Sequence, residues 1–355
     1  MSELLSRVIE KIGSLDGEAM AKAAARQEQL TKPPGSLGRL EELSVRLAGI
    51  QGKPLPEIKH KAIITMAGDH GVVAEGVSLW PQEVTAQMVY NFLGGGAAIN
   101  VLARQIGARV VVVDMGVAAD LEPDAQLLSR KVGRGTANMA QGPAMTMEQA
   151  VQALEAGIEI VTSEADRGLD IVGTGDMGIG NTTASSAICA VITGKSVAEV
   201  TGRGTGVEGA QLAHKRAVVE KALAVNKPDA RQPLEVLAKV GGFEIGGLAG
   251  VMLAAAARRI PVVIDGFISG AAALIATSLA PGVGEFLIAG HVSAEAGHRL
   301  MLGHLGLKPL LDLDMRLGEG TGAALGIFLA EAAARVLAEM PTFAEAGVSE
   351  KSEIE

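Results

Sequence analysis

Five short apolar runs, each closing on a loop rich in glycine and acid, constrain this chain more than any other feature. They are AIITMAGDHG (62–71), ARVVVVDMGV (108–117), LDIVGTGDMG (169–178), IPVVIDGFIS (260–269) and EFLIAGHVS (285–293). Runs of this length without polar alternation read as strands buried on both faces. Ala-rich stretches with helical periodicity lie between them: 83–107, 147–168, 182–193 and 214–226. Strand alternating with helix predicts a mostly parallel, Rossmann-like α/β sheet covered on both faces, because parallel neighbours need a crossover. Ligands of such sheets bind outside the carboxyl ends of the strands, so the five loops are the places to look for chemistry.

Both ends read as helices. At the start these are 4–12, 18–30 and, after the Lys32-Pro33-Pro34-Gly35 break, 40–50 with Ser36 as its expected N-cap; at the end, 320–340 precedes a polar tail. The expected division is an N-terminal helical segment (1–58), a large α/β domain (59–310) and a C-terminal helical segment (311–355), the two ends building one small helical domain. The 355 residues suit one large domain or two unequal ones.

The charge balance, 31 basic against 40 acidic residues for a net −9, argues against a broad nucleic-acid or anionic-lipid face. Aromatic residues are 2% of the chain, too few for base-stacking platforms. A single cysteine, Cys189, can form neither an internal disulfide nor a cysteine-based zinc site, which fits a cytoplasmic setting. The N-terminus has no uninterrupted apolar core of a secretory signal. Gly266–Gly284 carries no charge over 19 residues, but Gly, Ser, Thr and Pro281 dilute it, so a buried helix is expected there.

Three glycine-rich segments hold candidate chemistry. Gly173 to Thr183 contains G-x-G-x-x-G after a predicted strand and before a helix, where backbone N–H groups can approach a phosphate; a tight turn would need the same glycines. A dinucleotide site also wants an acid ending a second strand about 20 residues on, and Glu199 does not sit in such a strand. Gly194-Lys195-Ser196 resembles the end of a phosphate-binding P-loop, but Cys189 stands where its first glycine belongs. Gly202-Arg203-Gly204-Thr205-Gly206 precedes Lys215, a pairing that suits a monophosphate or simply a surface turn before a helix. Glu319, between Gly318 and Gly320 at the head of a helix, can accept a proton from a closely approaching ligand, or merely complement the helix dipole. Asp69-His70, and His291 with Ser293, fall at strand ends; the six histidines show no zinc-type spacing, so no metal is expected.

Taken in order, KPPGSLGRLEEL (32–43), AGDHGV (67–72), PQEVTAQM (81–88), GDMGIGNTT (175–183), HKRAVV (214–219), LAKVGGFEIGGLAGVMLAA (237–255), DGFISGAAAL (265–274), HVSAEAGH (291–298) and MRLGEGTGAALG (315–326) resemble one family over nearly the whole chain. It is the nicotinate-nucleotide:dimethylbenzimidazole phosphoribosyltransferase family. The resemblance implies transfer of phosphoribose from nicotinate mononucleotide to 5,6-dimethylbenzimidazole with inversion at C1′, without cofactor or metal, in a cytoplasmic homodimer. It implies Glu319 as base, with Asp176, where better-known members carry Glu, as a supporting carboxylate. It places Gly175, Gly178, Gly180, Asn181, Thr182, Gly204, Lys215, Ser293, Gly318 and Gly320 around phosphate and ribose, and Trp80, Gln87, Met88 and Leu317 around the acceptor base. Trp80 and Met88 stand where members can carry Ser and Gln, so the preferred base can differ: benzimidazole, adenine or a phenol. An NAD-dependent oxidoreductase and a non-catalytic carrier of a nicotinate or benzimidazole compound are the competing readings.

Overall fold

The computed structural model describes residues 2–204 and 206–349. Six strands, β1 (Lys61–Gly68), β2 (Arg109–Gly116), β3 (Leu127–Ser129), β4 (Ile171–Met177), β5 (Val262–Ile264) and β6 (Leu287–Ala289), form one sheet in the order β3-β2-β1-β4-β5-β6. Every pairing in it is parallel. The five apolar runs therefore supply five of the six strands. All eight residues of β1 are buried, as expected for a strand with helices on both sides. Strand order reverses between β1 and β4, which opens a crevice at their carboxyl ends.

Two further strands, β7 (His291–Val292) and β8 (Leu311–Asp312), make a separate parallel pair. Neither β3 nor β8 stands out in the sequence, because two or three residues are too short to show a pattern. The stretch 83–107 is two helices, Val84–Leu93 and Ala98–Ile106, separated by Gly94-Gly95-Gly96. Ser36 does not cap the third helix. That helix runs Arg39–Gln51 from Gly38 at φ 52°, and the Glu41 carboxylate instead accepts the Gly35 and Leu37 N–H groups and the Lys32 ammonium.

The charge-free stretch from Gly266 holds a 13-residue helix, Phe267–Leu279, with its first ten residues buried. Helix Thr321–Glu339 is apolar and long enough to cross a membrane by length and composition, but 56% of its apolar window is buried in the fold. It packs on β4 and β5 and on Arg39–Gln51, and Arg26 of helix Gly17–Gln29 donates to the Leu337 and Met340 carbonyls. The first helix, Glu3–Glu10, packs instead against Met147–Asp166 and Phe243–Ala257.

Those last two helices cross with their backbones in contact. A Cβ on Gly157 would collide with the Gly247 carbonyl oxygen, and one on Gly250 with that of Leu154. Gly157→Ala is therefore expected to destabilise the protein by about 1–3 kcal/mol through overpacking. Thermal denaturation of the variant would check this, an unchanged melting temperature being the contrary result.

Candidate active site

Helix Asn181–Thr193 starts four residues beyond the end of β4, so its N-terminal turn faces the crevice at the switch point. Gly180, at φ 95°, makes the sharp entry. The Thr182 hydroxyl accepts a 2.7 Å hydrogen bond from the Lys215 ammonium, which is only 1% exposed. A cation is thus buried beside the positive end of a helix dipole, an arrangement that favours the arrival of an anion. Burial pulls the Lys215 pKa down to about 8, opposed by the nearby Glu295 carboxylate. The Glu295 carboxyl is itself pushed up by burial, against the pull of Lys215, the Gly204 N–H and Arg316. Arg316 donates to the Gly204 carbonyl at 3.1 Å. Gly204 has φ 55°, and a Cβ there would stand 2.8 Å from the Lys215 nitrogen, so glycine keeps space open in front of the ammonium.

The other end of the site is built on backbone. Gly318, Glu319 and Gly320 have φ values of 87°, 64° and 99°, three consecutive left-handed residues of which the middle one is not glycine. The Glu319 side chain is 5% exposed, and its Oε2 accepts the Ile99 N–H at 3.2 Å in the first turn of helix Ala98–Ile106. Burial raises its pKa above the ordinary Glu value; the Ile99 N–H opposes that shift and Asp265 adds to it. Asp176 ends β4, its Oδ2 accepting from Asn181 Nδ2 at 3.0 Å while Oδ1 is buried without a partner. Burial, then the Asp265 and Glu244 carboxylates, hold the Asp176 pKa well above the ordinary Asp value.

One cleft enclosing ≈ 610 Å³ of empty space, open solvent at its mouth included, brings together Asp176, Gly178, Asn181, Thr182, Gly204, Ser293, Leu317 and Gly318 of the expected residues. Glu319 and Lys215 stand immediately behind this lining. Gly175 and Gly320 do not line it: a Cβ on Gly175 would collide with the Glu319 carbonyl, and Gly320 packs on Ile63. Gly173 lies inside β4 against Ala323 and Ile327. Gly173 and Gly175 of G-x-G-x-x-G thus admit the helix and the 318–320 loop onto the strand, while Gly178 sits against the Gly68 carbonyl and lines the cleft, so the motif serves packing rather than a dinucleotide turn.

Of the expected base pocket only Leu317, 58% exposed, borders the cleft. Trp80 is 53% exposed and Gln87 exposed, outside the lining, while Met88 packs with Met177 against a hydrophobic cluster. Asp69 accepts the Ala118 N–H and His70 bonds Glu244 at 2.7 Å, tying β1 to its neighbours away from the cleft.

Other cleft residues carried only a positional signal in the sequence. His291, Glu295 and Arg316 line it, and Asp265 lies beneath it. Asp265 ends the run IPVVID, so the strand-end rule pointed to it. His298 accepts the Ser293 N–H at Nδ1, and burial, with His291 and Arg299, pulls its pKa down to about 3, so its ring is neutral.

Sheet order, a buried lysine beside a helix N-terminus and a buried carboxylate at the head of another helix define a protein with a small-molecule cleft at a parallel-sheet switch point. A family model described as phosphoribosyltransferase matches residues 12–348. Proteins named nicotinate-nucleotide–dimethylbenzimidazole phosphoribosyltransferase are 62% identical in Desulforudis audaxviator and 63% identical in Roseiflexus sp., covering 98–99% of this chain and 99% of each relative. The crystal structure of CobT from Thermus thermophilus superposes with a TM-score of 0.91 at 52% identity, over 94% of this chain and all of that one. The chain belongs to the nicotinate-nucleotide–dimethylbenzimidazole phosphoribosyltransferase family.

With Lys215 titrating near 8, anion binding weakens as pH rises through that value, because the charged form is lost above it. Sulfate, whose own charge is constant over the range, is expected to bind about tenfold more weakly at pH 9 than at pH 7. Calorimetric titration would measure this, and equal affinities at the two pH values would remove Lys215 from the anion site.

Proposed function

We infer that this chain transfers the phosphoribosyl group of nicotinate mononucleotide to 5,6-dimethylbenzimidazole, releasing nicotinate and forming α-ribazole 5′-phosphate, in assembly of the cobalamin nucleotide loop. The observation that carries this reading is one cleft whose lining residues Thr182 and Gly318 adjoin, respectively, a buried lysine bonded to the Thr182 hydroxyl and the buried Glu319 carboxylate. Lys215, Thr182 and the backbone near Gly204 take the 5′-phosphate, which fixes the sugar. Asp176, whose pKa its surroundings raise well above the ordinary Asp value, leaves Oδ1 to hydrogen bond with the ribose. Ser293 and His291 border the same space.

The acceptor's ring nitrogen attacks C1′ from the face opposite nicotinate, so configuration inverts. The C1′–N bond to the pyridinium breaks, its electron pair neutralises the departing ring, and the proton on the acceptor's other nitrogen passes to Glu319. Holding both rings in line supplies part of the rate, with on the order of 7 kcal/mol available to such orientation in favourable cases. A carboxylate whose pKa is raised by burial is a stronger base than an ordinary Glu.

Chromatography of nicotinate release against α-ribazole phosphate formation tests the reaction, and competition among 5,6-dimethylbenzimidazole, benzimidazole, adenine and phenol tests the acceptor. No product with any base would return the weight to a carrier. Glu319→Gln is expected to lose about 10²–10⁴-fold in kcat while still binding nucleotide, since shape is kept and proton acceptance lost. Lys215→Ala is expected to raise the KM for nicotinate mononucleotide about tenfold or more through loss of a charged hydrogen bond. In the wild type kcat should fall as pH drops through a value above the usual Glu range, the sign required of a base whose pKa is raised. We further propose a cytoplasmic homodimer, supported by Val101 and Phe328, each more than half exposed on adjoining helices; sedimentation at working concentration tests it, a monomer refuting it.

A further inference from the structure

The 318–320 loop is held from three strands at once. Asp265, at the end of β5 and fully buried, accepts the Gly320 N–H at Oδ2 (3.2 Å) and the Gly322 and Ala323 N–H groups at Oδ1 (2.6 and 3.1 Å). Thr65 in the middle of β1, also fully buried, donates its hydroxyl to the Glu319 carbonyl at 2.9 Å. The Glu319 N–H donates to the Asp176 carbonyl at the end of β4. Three left-handed residues in a row do not persist unless the surroundings over-determine them. A buried acid surrounded by backbone donors does that without bringing a counter-cation near the substrate.

We propose that Asp265 and Thr65 are positioning residues for Glu319, fixing the loop backbone so that its carboxylate meets the acceptor's ring nitrogen. The proposal rests on the reading of Glu319 as base. Neither side chain lines the cleft, so neither is expected to touch the nucleotide. Asp265→Asn turns one acceptor into a donor facing N–H groups, and Thr65→Val removes the hydroxyl while keeping its shape. Misplacement of a reacting group by about an ångström costs on the order of a hundredfold in rate.

Steady-state kinetics of Asp265→Asn, Thr65→Val, Thr65→Ser and Glu319→Gln, each checked for folding by thermal melt and for calorimetric nucleotide binding, test the assignment. Asp265→Asn and Thr65→Val are expected to lose about ten- to a hundredfold in kcat. Their KM for nicotinate mononucleotide should stay within about twofold of wild type, because the phosphate contacts are elsewhere. Thr65→Ser should restore kcat. The carboxyl groups facing Glu319 are Asp176 and Asp265, with His291 lying 3.6 Å from Asp265. Removing the Asp265 charge should therefore also move the acidic limb of kcat to lower pH, a change that loss of folding would not produce. Should Asp265→Asn fail to fold, the Thr65 pair carries the test. An inactive Glu319→Gln beside Thr65→Val with wild-type kcat would overturn the positioning role alone. A fully active Glu319→Gln would overturn the base reading and the positioning proposal with it.

Discussion

The site depends on one backbone-to-backbone contact. Strand β4 and the loop 318–320 approach so closely that no side chain fits at Gly175, and the Glu319 N–H bonds the Asp176 carbonyl across the gap. That contact brings the end of a central strand, with Asp176, and the head of helix Thr321–Glu339, with Glu319, to one place. It also presses the helix onto β4 at Gly173. A methyl group at Gly175 would push the 318–320 loop off the strand, and one at Gly173 would press on Ala323 and Ile327 of the helix that follows it. Packing and chemistry therefore share their tolerance, since an interior this dense transmits a displacement rather than absorbing it.

Electrostatics follow from that closeness. Asp176, Asp265, Glu244 and Glu319 are all buried around the carboxyl ends of the central strands. Four acids in so small a region cannot all be charged cheaply, and the protein uses two solutions. Backbone N–H groups compensate Asp265 and one oxygen of Glu319, while burial and the neighbouring carboxylates shift Asp176 toward its protonated form. Positive charge gathers around Gly204, at Lys215 and Arg316.

The sequence disclosed the sheet because full burial leaves an unmistakable record: β1, β2, β4, β5 and β6 have no polar face to break their apolar runs. Strands β3 and β8 were illegible for the opposite reason, having two or three residues and a partly exposed surface. Ser36 misled because N-cap preference is local, whereas Lys32 and Glu41 decide that turn through a bond only the fold creates. Glu319, Asp176, Thr182 and Lys215 were legible as motif residues. Trp80, Gln87 and Met88 come from a resemblance, on a segment that the structure sets outside the cleft lining. Asp265 carried little signal beyond its place at a strand end, since the partners it serves are main-chain atoms some 55 residues away, and backbone leaves no mark in a sequence.

Glu319 at φ 64° has a further meaning. Left-handed backbone costs a β-substituted residue of order 1–2 kcal/mol relative to glycine, and asparagine bears it more easily than glutamate. Local conformational preference therefore pulls this position toward other residues, and the base role proposed for the carboxylate is the force that opposes the pull. A descendant that kept the fold but no longer needed the reaction would gain stability by drifting to glycine or asparagine here. The residue at 319 is thus a marker, readable without any assay, of whether selection for turnover still acts on the chain.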